Sequence, residues 1–212
     1  DVKTSYKDMS KLVYPFYIIL HPIDGFNEMK FNKKGSLAIA NTIVIVWFFA
    51  EICRRQLTDF AFNPFRPDKF NVFYVMLLTF VIFFIAVVAN WCFCTLLDGK
   101  GKFADIWVAG SYALLPMIIG IILYTVLSKF MVLDEGVFLT YLVWIANLWS
   151  AWLVVVALEV THEYTLKKTL FSIFLTVLGM LIILFLAILV FSLYSQVVTF
   201  VRSIYNELLY RI

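Results

Sequence analysis

The residues of this chain best suited to hold a metal through sulfur are three cysteines. Cys53, Cys92 and Cys94 all lie in apolar surroundings. The closely spaced pair Cys92 and Cys94 has neither a histidine nor a second cysteine pair nearby to complete a zinc site. We therefore expect inert membrane cysteines, and neither a metal site nor a cofactor.

The two histidines do not complete a catalytic motif either. His162 and Glu163 resemble the start of a zinc protease motif, but Leu166 occupies the position of the second histidine. His21 precedes a proline in a turn and has no obvious acidic or cysteine partner, so a structural role is expected for it. No cluster of nucleophile, base or metal ligands emerges, so no catalytic residue is predicted.

A basic, glycine-rich turn runs from Asp98 to Lys102. It lacks the spacing and the Ser or Thr of a phosphate-binding loop. A hairpin whose lysines touch anionic lipid head groups accounts for it better.

The elements that carry these residues are set by composition. Of the 212 residues, 63% are hydrophobic and 15% charged, which is more apolar surface than one soluble core of this size could bury. A bilayer core of roughly 30 Å needs about 20 apolar residues per helix. The runs lack the alternation of barrel strands, so helices are expected. The five predicted spans are Leu37–Cys53, Phe70–Leu97, Asp105–Leu127, Gly136–Val160 and Thr169–Gln196.

The positive charges predict the orientation of the five spans. Ten lysines fall on the amino-terminal side of the membrane, and seven lysines and arginines fall on the other side. The positive-inside rule therefore favours a cytoplasmic amino terminus and an external carboxyl terminus. The expected location is the bacterial cytoplasmic membrane.

The segments that flank the spans divide the chain into three parts. Residues 1–35 are predicted to form a cytoplasmic or interfacial entry segment, in which Lys11 to His21 is too short to cross and is broken by Pro15. Residues 36–196 form the five-helix domain. Residues 197–212 are predicted to form an amphipathic helix with an apolar face. That face consists of Val197, Phe200, Val201, Ile204, Leu208 and Leu209.

Polar residues inside the spans are the candidate site, because an unsatisfied amide in hydrocarbon is costly. Asn41, Asn90, Ser111 and Tyr112 fall in the cytoplasmic third of the membrane and are predicted to face one another; Asn147 lies in the fourth span. One interpretation is interhelical hydrogen bonding that holds the bundle together. The other is a path for a polar solute or ion.

Two further features concern helix geometry and charge. Pro116 predicts a kink near the middle of the third span, with Gly120 available to ease it. Small residues on the third and fourth spans predict close helix contacts. Glu159 is the candidate titrating group, and Glu163 is spaced to pair with Lys167.

The motifs around the third span resemble those of the Yip family, the Ypt/Rab-interacting membrane proteins. They are the His21–Phe26 sequence HPIDGF, the Gly99–Phe103 sequence GKGKF, Trp107, and the Gly110–Pro116 sequence GSYALLP. The resemblance covers about Tyr17 to Tyr194 and implies a five-span membrane protein. Eukaryotic relatives carry a long cytoplasmic region that serves GTPase binding and vesicle traffic at the Golgi. This sequence has no such region and its short loops resemble bacterial members, so GTPase binding is not expected.

Together these features predict a non-enzymatic integral membrane protein. Its expected role is that of an accessory or scaffolding subunit in transport or trafficking machinery. The expected partners are the lipid bilayer and another integral membrane protein, such as a solute-transporter complex, with no nucleic acid. The alternative is a small-solute or lipid translocator with a polar path near Asn41, Asn90 and Tyr112.

Overall fold

The computed structural model describes residues 13–65 and 70–211. The start of the predicted entry segment, and Arg66 and Lys69 of the charge count, lie outside the described residues. Within the described ranges the regular structure is helical. The helices are α1 (Tyr14–Leu20), α2 (Pro22–Phe31), α3 (Leu37–Leu57), α4 (Val72–Met76), α5 (Ile82–Leu96), α6 (Phe103–Ala113), α7 (Leu115–Leu127), α8 (Gly136–His162) and α9 (Leu166–Arg211).

Five helical stretches are long and apolar enough to cross a membrane, which confirms the predicted five-span, all-helical fold. A π-helical turn, Leu77–Val81, joins α4 to α5 into the second span, and a 3₁₀ turn, Leu133–Glu135, leads into α8. The third span consists of α6 and α7. The spans are Leu37–Leu57, Val72–Leu96, Phe103–Leu127, Leu133–His162 and Leu166–Glu207.

The third span lies at the centre of the bundle. In its most apolar window 61% of the residues are buried, against 11% in the fifth span. The helix is interrupted at Leu114, whose N–H reaches back three residues to the carbonyl of Ser111. The cause is Pro116, which has no N–H and whose ring clashes with the carbonyl four residues earlier, that of Tyr112.

Small residues let α7 and α8 approach closely. A Cβ atom on Gly120 would collide with the side chain of Ala146, so only glycine fits there. One turn further along α8, the buried Ser150 Oγ donates a hydrogen bond to the carbonyl of Ala113. That carbonyl lies just before the interruption of the third span, so Ser150 compensates a backbone group that Pro116 disturbs.

The described part of the entry segment belongs to the packed bundle. Ile18 of α1 and Phe26 of α2 are fully buried and share one apolar core with Tyr112 of the central span. Tyr14 Oη donates a hydrogen bond to the carbonyl of Gly25, which ties α1 to α2. Burial raises the pKa of Tyr14, with Glu28 as the second cause.

The last helix is a single element of 46 residues. It runs through residue 196, where the domain boundary was predicted, so residues 197–211 are the end of α9. Neither glycine nor proline follows Gly179 to end the helix. At 1.5 Å per residue the helix is about 69 Å long, more than twice the bilayer core of roughly 30 Å. It therefore extends well beyond the thickness of the membrane.

Candidate functional site

Asn90 is the centre of a buried hydrogen-bonded group that joins three spans. Its Nδ2 atom donates to Thr176 Oγ1 of α9 at 3.0 Å, and its Oδ1 atom lies 2.8 Å from His162 Nε2 at the end of α8. Thr176 Oγ1 in turn donates to the carbonyl of Ser172. This arrangement requires the proton on His162 Nε2, because Asn90 Oδ1 only accepts.

The glycine turn packs directly on this group. Cβ atoms on Gly99 or Gly101 would press on the ring of His162, at 2.6 Å for Gly101. Asp98 adopts a left-handed conformation, with φ of 54°, to bring the chain round. Tyr164 stacks on the His162 ring with centroids 5.1 Å apart. The glycines therefore serve packing, and we name Asn90, His162, Thr176, Gly99 and Gly101 the turn cluster.

An ion cluster closes the same end of the bundle. Glu163 is paired with Lys30 of α2 at 2.9 Å and with Lys100 of the turn. Lys30 also donates to the carbonyls of Val160 and Thr161, which α8 leaves open at its carboxyl end. The hydrogen bonds from Lys100 and then Lys30 lower the pKa of Glu163 to about 2.

The predicted pairing of Glu163 with Lys167 is not found. Glu163 has a φ of 56° and ends α8, so the helical spacing of four residues does not apply across it. Neighbouring Tyr164 is largely buried, and burial, with Cys94 and Asp98 as further causes, raises its pKa to about 12. The polar residues at this end are held in place by the chain reversal between α8 and α9.

The structure does not bring all four predicted polar residues together. Asn41 Oδ1 accepts from Trp107 Nε1 at 2.9 Å, and Ser111 Oγ donates to the carbonyl of Trp107. The fully buried Tyr112 accepts from the N–H of Ser36 at 3.3 Å. These three lie where α6 meets α3 or the residue before it, whereas Asn90 bonds to α8 and α9.

The other candidate positions have different surroundings. Asn147 is exposed on α8, and Glu159 is half-buried near the end of the same helix. The backbone carbonyl of Glu159 accepts from the N–H of Tyr164. The acidic group held by cations at this end is Glu163, four residues further on. Pro116 and Gly120 lie at the interruption and at the close helix contact described above.

Sequence reasoning missed several partners of these residues. Lys30, Trp107 and Thr176 each contact a group far away in the chain, with separations of 130, 66 and 86 residues. The signal for Thr176 was present, because Thr169, Ser172 and Thr176 recur at helical spacing in an apolar segment. A polar stripe of that kind predicts an interhelical face. The partner of Lys30 had no such signal.

A second charged group lies at the opposite end of α3. Glu51 Oε2 accepts from Arg54 Nη2 at 2.8 Å and lies 4.0 Å from Arg55 Nε, so the closer partner is Arg54 and not the predicted Arg55. The Arg55 guanidinium stacks 4.2 Å from the ring centroid of Phe65. We name Trp47, Glu51, Arg54 and Arg55 the arginine cluster.

An apolar cavity of about 240 Å³ lies between α5, α6, α8 and α9. Its walls are mostly aliphatic and aromatic, and Asn90 and Thr176 are the polar residues at its border. Gly110 opens the wall on the α6 side, because its nearest neighbour is the ring of Phe83. The walls include Phe83, Ala86, Val87, Ile106, Leu114, Val154, Leu158 and Val177.

Metal-ligating side chains are dispersed. Across residues 13–65 and 70–211, no three His, Cys, Asp or Glu side chains are grouped as a metal site needs. Cys53 and Cys92 are exposed and Cys94 is buried, all as free thiols. Cys94 Sγ contacts the carbonyls of Gly99 and Gly101, so it takes part in packing the glycine turn.

Five apolar spans, a central span broken before a proline and a glycine turn packed on the end of the fourth span define a helical multi-pass membrane protein. The family model of the Yip1 domain matches residues 16–190, which is most of the chain. The chain therefore belongs to the Yip1 domain family. No curated protein and no solved structure matches it.

Proposed function

We propose that this Yip1-domain protein is a non-enzymatic accessory or scaffolding subunit of a membrane complex, in transport or trafficking machinery. Its partner is another integral membrane protein, which it contacts through the free end of α9. We place the protein in the bacterial cytoplasmic membrane with its amino terminus inside. The single observation that carries the proposal is the exposure of that free end.

The free end of α9 packs against no other helix of the described chain. From Leu184 to Glu207 every residue except Val198 is exposed. About 20 residues cross the bilayer core, so a continuous helix that begins at Leu166 leaves more than 20 residues beyond it. Lipid covers the apolar side chains inside the core, but not those that follow.

The side chains beyond the core are strongly apolar. Val197, Phe200 and Val201 have exposed fractions of 61%, 65% and 58%. Contiguous apolar surface of this kind marks an interaction site on proteins in water. The polar residues Thr199, Arg202, Ser203 and Asn206 occupy the other face of the same helix.

The spacing of the apolar residues indicates what kind of surface would cover them. Val190, Val197 and Ile204 recur every seven residues, and Tyr194 and Val201 repeat the same interval four residues later. A seven-residue apolar repeat is typical of a helix that packs along another helix as a coiled coil. The expected partner therefore presents a helix that leaves the membrane beside α9.

The polar side chains of the bundle favour a non-enzymatic role. Asn41, Asn90 and Ser150 bond to other helices and contribute about 0.6–2 kcal/mol per contact to the bundle. The family assignment itself specifies no reaction. The proposal therefore treats these groups as structural.

The translocator alternative has less support. Asn41 and Tyr112 bond to partners different from those of Asn90, so the three do not form one polar group. The cavity beside Asn90 is walled mainly by apolar side chains. A hydrophilic solute would find few hydrogen-bond partners along that wall.

The test is purification in a mild detergent from the native host. We expect a stoichiometric membrane protein to accompany the wild type, and to be lost with the double substitution Val201→Asn and Ile204→Asn. The matched control is Thr199→Asn with Ser203→Asn on the opposite face of the same turns. A lone monomer, or a partner kept equally by both variants, would contradict the proposal. A complex made only of copies of this chain would replace the accessory role by self-assembly.

A further inference from the structure

We propose that the arginine cluster, together with the π-helical turn of the second span, forms a binding site for a phosphate-type anion. The anion is either the head group of an acidic membrane lipid or a free phosphate of the same chemistry. This site lies at the end of the bundle opposite the turn cluster, and it is independent of the free end of α9.

The residues of the site share one face of α3. Trp47, Glu51, Arg54 and Arg55 are spaced by four, three and one residues, so their side chains project to the same side of the helix. The charges sum to one positive charge after Glu51 is counted against the two arginines. Glu51 is already engaged by Arg54, and it leaves the guanidinium of Arg55 without a close carboxylate oxygen.

Two buried donors on this face lack an acceptor. The indole Nε1–H of Trp47 and the Nε–H of Arg55 are both inaccessible to solvent and have no hydrogen-bond partner in the described structure. A buried donor left unpaired costs about 1–3 kcal/mol, and more when the donor is charged. Native proteins therefore pair nearly all such groups with protein, water or ligand atoms.

The same two residues line an open space. A cavity of about 130 Å³ is bounded by the arginine cluster on one side and by Val75, Leu78 and Thr79 on the other. One water needs only about 15 Å³ of such space, so the cavity admits a group the size of a tetrahedral oxyanion. The oxygens of an anion would accept from the indole and from the guanidinium at once.

The local backbone explains why the space exists. Leu78 and Thr79 lie in the π-helical turn Leu77–Val81, which inserts an extra residue into the second span. Thr79 Oγ1 turns back to the carbonyl of Val75 at 2.9 Å and does not donate into the cavity. π-Helical turns are costly and occur mostly at functional sites, which fits a turn retained to shape a binding cavity.

The cavity is suited to an anion because of its donors. Trp47 and Arg55 offer donors only, since neither side chain can accept a hydrogen bond. Phe65 covers one face of the Arg55 guanidinium and leaves its edge free for an acceptor. Arginine presents its donors in a planar fork that matches the oxygens of a phosphate.

The experiment compares lipid binding of the delipidated protein by native mass spectrometry. The probes are phosphatidylglycerol and phosphatidylcholine of the same chain length, which share a phosphate and differ in net charge. The variants are Arg55→Gln and Trp47→Phe, with Arg202→Gln on the exposed free end of α9 as the matched control. A second arm measures thermal unfolding with inorganic phosphate against chloride at equal ionic strength.

We expect the wild type and Arg202→Gln to retain phosphatidylglycerol in preference to phosphatidylcholine. Arg55→Gln should reduce that preference about tenfold, and Trp47→Phe by a smaller factor, because each removes one donor to the anion. A raised unfolding temperature in phosphate, lost in Trp47→Phe, would assign the site to the free anion. If Arg55→Gln does not fold, Trp47→Phe carries the comparison.

Two outcomes would overturn the site. One is a wild type with neither a lipid preference nor a phosphate response, which would leave the cavity to water alone. The other is a preference or response of unchanged size in both Arg55→Gln and Trp47→Phe.

Discussion

The two halves of α9 bury opposite kinds of residue. The root, Leu166–Gly179, buries a stripe of small and polar residues against α5 and its neighbours: Thr169, Ser172, Thr176 and Gly179. The free end, from Leu184 onward, exposes valine, phenylalanine and isoleucine to its surroundings. Apolar residues are no better buried in protein than in lipid, so small and polar residues decide helix contacts in a membrane. The free end needs a different explanation, because part of it lies beyond the bilayer.

The largest effect should come from filling the root contact. Gly179 lies so close to the ring of Phe93 that a Cβ atom would collide with it. We expect Gly179→Val to lower the free energy of unfolding in detergent by about 1–3 kcal/mol through overpacking. Ala187→Val, an exposed position on the free end, is the control and should change little. Loss of helicity under a denaturing detergent titration gives the measurement, and equal effects at both sites would erase the distinction between the two halves.

A smaller loss is expected from the polar part of the root. Asn90→Leu removes the hydrogen bonds to Thr176 and His162 and leaves both without this partner. We expect a loss of about 0.6–2 kcal/mol per contact in the same titration. Asn147→Leu changes an exposed amide on α8 and serves as the control. An Asn90→Leu variant as stable as the control would show that the turn cluster is not holding the root in place.

The same residue also separates the two functional hypotheses. We expect the double variant Asn41→Leu and Asn90→Leu to keep its membrane partner in a pull-down, because neither residue lies on the free end of α9. A translocator with its path at these residues would lose flux in reconstituted vesicles. Retained assembly with lost flux would therefore favour transport over the accessory role.

The fold could be predicted from the sequence because lipid imposes a simple rule. Five apolar runs and Pro116 were sufficient to predict five spans and an interruption near the middle of the third. The grouping of polar side chains was harder, since it depends on how each helix is rotated about its axis. Asn41 and Asn90 lie at similar depths, yet one meets Trp107 and the other His162.

The turn between Val160 and Leu166 shows the same limit for charges. The sequence places Glu163 four residues before Lys167, but the left-handed conformation of Glu163 separates the two helices there. Lys30 and Lys100, its actual partners, are 133 and 63 residues away in the chain, a separation for which no local pattern exists. The unpaired donors of Trp47 and Arg55 were likewise visible only once the side chains were placed.

The pH dependence of the root should be small and of defined sign. The pKa of Glu163 falls from 4.5 to about 2 in the folded protein, because Lys100 and then Lys30 bond the carboxylate. Its contribution to stability is therefore complete above about pH 4.5 and is lost as the pH falls towards 2. We expect the difference in unfolding temperature between the wild type and Glu163→Gln to shrink across that window. A difference that stayed constant from pH 5 to about pH 2 would remove the ion cluster from the forces that hold the start of α9.

The smallest effect on stability is expected at the free end, and it makes the contrast between the halves sharpest. Val201→Asn with Ile204→Asn replaces exposed residues that contact no other helix in the described chain, so unfolding should change by less than about 0.5 kcal/mol. The same variant should lose the membrane partner, because its apolar seam is broken. A root substitution such as Gly179→Val should show the reverse, with lower stability but partner binding kept wherever the protein folds. If the free-end variant were instead the less stable of the two, α9 would be packing within the chain, and its exposed apolar face would no longer argue for a partner.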